Sequence, residues 1–182
     1  MSNYTIQKIQ VSTANITNQD FYVTFTSGTS GFQDLNVDAN ALTYNPNTNT
    51  LVTENFKGKA SSAVYADLAE KYLADKEYQE GTVLVVGGDK EVTASSYGQR
   101  AIGVVSMRPA YLMNTELEGG TAVALKGRVP VMVVGPVNKG NKLVAGDNGT
   151  AQAILTTSPD VFAIALESSK DPGVKIVECV IL

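Results

Sequence analysis

The chain has 182 residues, 43% of them apolar, and a formal net charge of −4 at neutral pH. That length holds one domain of ordinary size, or a domain with an arm. No block of Lys and Arg exists, so the electrostatic footprint of a nucleic-acid binder is missing. There is no histidine, which removes both the commonest general base and the commonest metal ligand. The lone cysteine, Cys179, excludes an intrachain disulfide framework and a Cys-only metal site. With Val177, Val180, Ile181 and Leu182 around it, Cys179 reads as a small buried residue of a last strand. No apolar run approaches the ~20 residues that span a bilayer. Met1-Ser2-Asn3 opens no signal peptide, since a basic stretch followed by an apolar one is lacking. The expectation is a chain made in a cytoplasm that stays soluble, without a membrane partner.

Residues 1–58 are rich in Asn and Thr and poor in charge. Ile6 and Ile9 to Val11 hint at a first strand. Phe21, Val23 and Phe25 alternate with Tyr22, Thr24 and Thr26, the period of a half-buried strand. Leu35, Val37 and Ala39 alternate again after a Gly-rich turn. Leu42-Thr43-Tyr44 and Leu51-Val52 flank Asn45-Pro46-Asn47-Thr48-Asn49-Thr50, where Pro presets φ and Asn side chains close Asx turns, so a hairpin is predicted. An isolated hairpin is marginal in water. Some other surface must therefore cover Phe21, Phe25, Tyr44 and Phe56, and the rest of the chain, further copies of it, or a larger partner would each serve.

Residues 59–77 change character, with Ala, Glu, Lys and Leu raising helix propensity. Tyr65, Leu68 and Tyr72 fall at i, i+3 and i+7, a stripe for a linking helix that packs on a core or on copies of itself. From Tyr78 the sequence becomes short Val- and Ile-rich runs cut by Gly and Pro. Val83 to Val86 and Glu91 to Thr93 flank Gly87-Gly88, a hairpin signal. Ala101 to Val105, Ala122 to Val129 and Val131 to Val134 follow, with Pro130 marking a sheet edge or a bulge. Val161 to Leu166 reads as a buried strand and Val174 to Leu182 as the closing one. The predicted architecture is mainly β. It has an N-terminal fibre-like β arm of hairpins (1–58), a short linking helix (59–77) and a compact C-terminal β-barrel or β-sandwich domain (78–182).

Two stretches resemble known proteins. Gly81-Thr-Val-Leu-Val-Val-Gly-Gly-Asp-Lys-Glu-Val-Thr93, then Ala101-Ile-Gly-Val-Val-Ser-Met-Arg-Pro-Ala-Tyr-Leu-Met-Asn114, then Val123 onward through Gly127-Arg128-Val129-Pro130, resemble a β-domain common in structural proteins of tailed bacteriophages. That family includes tail fibres, neck appendages and head fibres, and the match runs roughly from Ala66 to Ala151. The run Leu42 to Leu51, followed by Phe56-Lys57-Gly58-Lys59-Ala60, is similar to a unit repeated in phage tail-fibre proteins, especially those of cyanophages. Here that unit occurs once. The resemblance implies a homotrimer attached to other virion proteins, located on the virion and assembled in the host bacterial cytoplasm.

No catalytic set emerges. Gly87-Gly88-Asp89 and the turn Gly135 to Gly140 lack the Lys-Ser/Thr ending of a phosphate loop. Ser95, Ser96 and Ser106 have no histidine to activate them. Glu116 and Glu118 lack the spacing of a known Ca²⁺ loop. No cofactor, metal or enzymatic residue is assigned. Phe21, Phe25, Tyr44, Phe56, Tyr65, Leu68 and Tyr72 are the predicted trimer or assembly contacts. Arg100, Arg108, Lys126 and Arg128 are either solvated or paired with acidic residues between subunits. The expected function is a head fibre, capsid decoration or small tail or baseplate attachment. The alternative is a receptor- or carbohydrate-binding tip using Tyr97, Tyr111 and the loop Asn114 to Gly120.

Overall fold

The computed structural model describes residues 18–30, 35–39, 41–57 and 66–182. The chain divides into two compact units, Met1–Ala60 and Ser61–Leu182.

The described residues of the first unit carry five short strands: β1 (Phe21–Tyr22), β2 (Thr24–Phe25), β3 (Asn36–Val37), β4 (Leu42–Asn45) and β5 (Thr50–Thr53). β4 and β5 form the predicted hairpin, with Leu42 opposite Thr53 and Asn45 opposite Thr50. Its turn closes as the Asn residues require. The Asn45 side-chain oxygen accepts the backbone N–H groups of Asn47 and Thr48 at 3.0 and 3.3 Å, and Asn49 takes a left-handed φ of 53°. β1 adds to β4, and β2 pairs with β3 separately. The strand expected around Ile6 to Val11 lies outside the described residues.

The described residues of the second unit are mainly β. Its strands are β6 (Asp67–Tyr72), β7 (Val83–Val86), β8 (Val92–Ala94), β9 (Gly103–Val105), β10 (Tyr111–Met113), β11 (Thr121–Val134), β12 (Lys142–Ala145), β13 (Ala151–Ile154), β14 (Ala163–Ala165) and β15 (Lys175–Ile181). β11 pairs with β15, β15 with β14, β14 with β12, β12 with β13, and β13 returns to β11, which closes a five-stranded barrel. Closure leaves no open sheet edge within the ring. Inside it, Val129, Val131, Val133, Leu143, Ala163, Val177, Cys179 and Ile181 make one continuous core.

β11 organises both halves of this unit. Its C-terminal residues belong to the barrel. Its N-terminal residues are flanked by β6 on one side and β9 on the other, with Val123 facing Glu70 and Val105. β7 continues the sheet from β9 to β8, and β10 lies parallel to β6. Pro130 sits where its missing N–H does no harm. The N–H groups two residues either side of it, on Arg128 and Met132, donate to Ala66 and Gly81, so its own nitrogen faces the gap between β6 and β13.

Over the described residues 66–77 the predicted linking helix is not formed. Residues 58–65, Tyr65 among them, lie outside the described part, and Asp67–Tyr72 is strand β6. Both of its edges find partners, β11 antiparallel and β10 parallel. Those ladders outweigh the modest helix preference of Ala, Glu and Lys, which amounts to a few tenths of a kcal/mol per residue. Among the described residues the one helical element is a single 3-10 turn at Asp147–Gly149.

Candidate assembly interface

Strand alternation and register decide which side chains share a surface. On β6, Leu68, Glu70 and Tyr72 point to one face, while Ala69, between them, is fully buried. Tyr111 of β10 stands opposite Leu68, and Met113 opposite Glu70. On the other side of β6, Val123 stands opposite Glu70. The face therefore continues across β11, β9 and β7. Its floor is a second apolar cluster of Leu84, Val92, Val105, Val123 and Ala74, against which Tyr72, Tyr78, Ile102 and Leu125 pack while only partly buried.

This second cluster is thinly covered. Val86, two residues beyond Leu84 on the same side of β7, is 74% exposed. A trough of about 710 Å³ runs between Tyr72 and Leu125 on one flank and Val86, Ile102 and Arg100 on the other. Leu125, two residues beyond Val123, keeps to the same face by alternation, and a register shift between Ala124 and Lys126 falls at this point. At the β6 end the rim is acidic. The Tyr72 hydroxyl donates to Glu70 Oε2 at 2.9 Å, and Glu91 Oε2 accepts the Leu73 N–H at 2.7 Å. Burial first, then the Glu70 carboxylate and the charge of Glu91, push the Tyr72 phenol above its ordinary pKa.

Of the predicted assembly residues, Leu68 and Tyr72 share this face, and so does Tyr111, predicted instead as a receptor contact. Tyr97, the other receptor candidate, stands elsewhere, on a segment whose N–H donates to Asp147. The loop Asn114 to Gly120 is tied back to β6: Asn114 donates to the Lys71 carbonyl, and the Lys71 ammonium donates to the carbonyls of Thr115 and Leu117. Phe21, Phe25, Tyr44 and Phe56 lie in the first unit. Phe21 faces Tyr44 across the β1–β4 pair, and Phe56 is 75% exposed. No described residue of this unit is fully buried. Val86, Ile102 and Leu125 were not singled out by the sequence. Val86 and Leu125 each stand in an apolar run that reads as core throughout.

A separate polar cleft of about 340 Å³ is lined by Asp67, Glu80, Ser106, Arg108, Arg128 and Glu178. Asp67 Oδ1 accepts the Ala110 N–H at 3.2 Å, while its buried Oδ2 has no hydrogen-bond partner. Arg100 is thus the one of the four predicted basic groups that borders the apolar trough. Among the described residues no cluster of three or more carboxylates, thiols or imidazoles comes together that could hold a metal. No helix among them is long and apolar enough to cross a membrane.

No family model and no curated protein matches this sequence. Solved structures do. The pre-mature gene product 12 of bacteriophage phi29 superposes with a TM-score of 0.52 over 78% of this chain, at 12% identity, and the match spans 24% of that longer protein. The C-terminal fragment of the same gene product aligns over 64% of this chain and all of its own length, with a TM-score of 0.47 and 14% identity. The N base of the phi29 head fiber gp8.5 aligns over 63% of this chain and 93% of its own, with a TM-score of 0.38 and 21% identity. The chain is similar in fold to gene product 12 of bacteriophage phi29. At these identities the first of the three carries the likeness, and it is a likeness of fold.

Proposed function

We propose that this chain is a structural protein of a tailed-phage virion, assembling as a homotrimer into a head fibre, a capsid decoration or a small tail or baseplate attachment. The observation that carries this reading is the emptiness of the first unit. Its strands are two to four residues long, and Tyr22, Phe25, Leu35, Leu51, Val52 and Phe56 all stay exposed. Fixing a backbone residue costs about 1–2 kcal/mol, which apolar burial at about 25 cal/mol per Å² must offset. Exposed aromatic side chains on such strands contribute little of that burial within one chain. Covering them between copies, or against another virion protein, supplies what is missing. The likeness of fold to gene product 12 of bacteriophage phi29 agrees in kind with that role.

The test is the mass of the full-length recombinant protein at micromolar concentration. Sedimentation equilibrium is expected to give three times the chain mass of 19.2 kDa; a stable monomer refutes the trimer. Mass spectrometry of purified particles is expected to find the chain in stoichiometric amounts, and its absence from them refutes the virion assignment. A receptor-binding tip is the second reading, favoured by Tyr111, which is 66% exposed beside Leu68. Glycan-array binding lost in Tyr111→Ala would favour it.

A further inference from the structure

The trimer reading says that copies meet; it does not say where on the second unit they do so. The trough across β6, β11, β9 and β7 has three properties that bear on this. Its floor is already dry, with Leu84, Val92 and Val123 wholly inaccessible, so an added layer extends an existing core. Its lining is open and mixed, with Tyr72, Val86, Ile102 and Leu125 as the apolar part and Gln99 and Arg100 beside them. Its rims carry opposite charge, Glu70 and Glu91 around Tyr72 at the β6 side and Arg100 across the trough.

Opposite charges on the two flanks of one apolar strip let the acidic flank of one copy meet the basic flank of the next, so the two flanks make different contacts. Such a heterologous contact closes into a ring where its rotation returns to the first copy. We propose that this trough is the subunit contact of the second unit, with the apolar strip of one copy seated on the next and Arg100 of each copy facing Glu70 and Glu91 of its neighbour. This rests on the trimer reading above. The oppositely charged rims set orientation and register, and the apolar strip supplies the attraction.

The experiment uses the full chain throughout. Val86→Asp places a charge at an exposed position that the folded monomer tolerates, whereas a neighbour seated on it would bury that charge unpaired. The expected result is a folded monomer by sedimentation, with unchanged far-ultraviolet circular dichroism. Val174→Asp, an equivalent change at an exposed residue outside the trough, is expected to leave the trimer intact. Arg100→Glu is expected to raise the dissociation concentration at least tenfold, and adding Glu70→Lys to it to restore most of the loss. A covalent check does not depend on any of these variants folding as monomers. Glu70→Cys and Arg100→Cys chains, mixed in equal amounts during refolding and oxidised, should give a disulfide-linked dimer that neither variant gives alone. If the wild type is trimeric but Val86→Asp remains so and no mixed disulfide forms, the trough is not the contact, and the trimer reading survives. If the wild type is itself monomeric, both fall.

Discussion

The junction of barrel and outer sheet rests on one glycine, and its replacement is a sharp test of the architecture. Gly127 lies opposite Asp67 of β6 on one side and Ile181 of β15 on the other. Its φ is +109°, and a β-carbon built there would stand 2.2 Å from the Ala66 carbonyl oxygen and 2.9 Å from the Asp67 Cα. Both neighbours are backbone, so no side-chain rotation relieves the contact. A non-glycine residue at positive φ costs about 1–2 kcal/mol, and forcing packed strands apart costs roughly another 1–3 kcal/mol. Gly127→Ala is therefore expected to destabilise the second unit by about 2–5 kcal/mol, against a total near 5–15 kcal/mol for such a domain. With an m-value of about 2 kcal/mol per M, that is a loss of roughly 1–2.5 M in the urea midpoint. Gly140→Ala isolates the two effects. Its φ is +88° but its β-carbon meets nothing within 4 Å, so about 1–2 kcal/mol is expected. Tyrosine fluorescence or circular dichroism against urea reads both. Equal losses in the two variants would refute the close approach of β11 to the start of β6, and with it the placement of β6 as a barrel-flanking strand.

Two further outcomes follow from titratable groups. Asp75 accepts the Tyr78 hydroxyl at 2.5 Å and the Thr93 hydroxyl at 2.8 Å, and these bonds hold its carboxyl below its ordinary pKa. A carboxyl depressed in the folded state stabilises it above the unfolded pKa, near 3.9, and that contribution is lost as pH falls through the folded value. Thermal melts between about pH 5 and 2 should thus fall less steeply in Asp75→Asn than in the wild type; parallel curves would count against the network. Cys179 is wholly buried, and burial, followed by the charges of Glu178 and Glu167, pushes its thiol up to about 12. At pH 8 the thiolate fraction is then on the order of a thousandfold below that of a free thiol, so a disulfide reagent should label the folded protein only as fast as it unfolds. Labelling at the rate seen in urea would place Cys179 outside the barrel core.

Much of the second unit is legible residue by residue, because its strands are short and punctuated. Gly87-Gly88 ends β7 where φ turns positive, and Pro130 sits at the unpaired side of a strand, as a residue without a donor must. The segment Asp67–Tyr72 is not legible in the same way, and the reason is arithmetic. Leu68 and Tyr72 are four apart, which places them on one face of a helix and also on one face of a strand. The discriminating residue is Ala69, fully buried on the opposite side, but alanine is the best helix former and carries no periodic signal of its own. What decides the matter is β11, more than fifty residues later, whose N-terminal half needs a partner on its β6 edge.

The same non-local logic explains which part of the candidate interface could be read in advance. Tyr72 and Leu68 draw notice because large apolar residues stand out in a polar stretch. Val86, Ile102 and Leu125 do not, because each ends or interrupts a run that reads as core, and their exposure is a property of what is stacked above them. In the first unit the opposite holds. Its strands are too short to build a layer, so exposed aromatics there follow from composition and turn spacing alone. For the second unit, by contrast, a surplus apolar face is visible only after the barrel has taken its share of the Val and Ile residues. The proposed assembly surface of the second unit is thus what the sheet leaves uncovered once the barrel is closed.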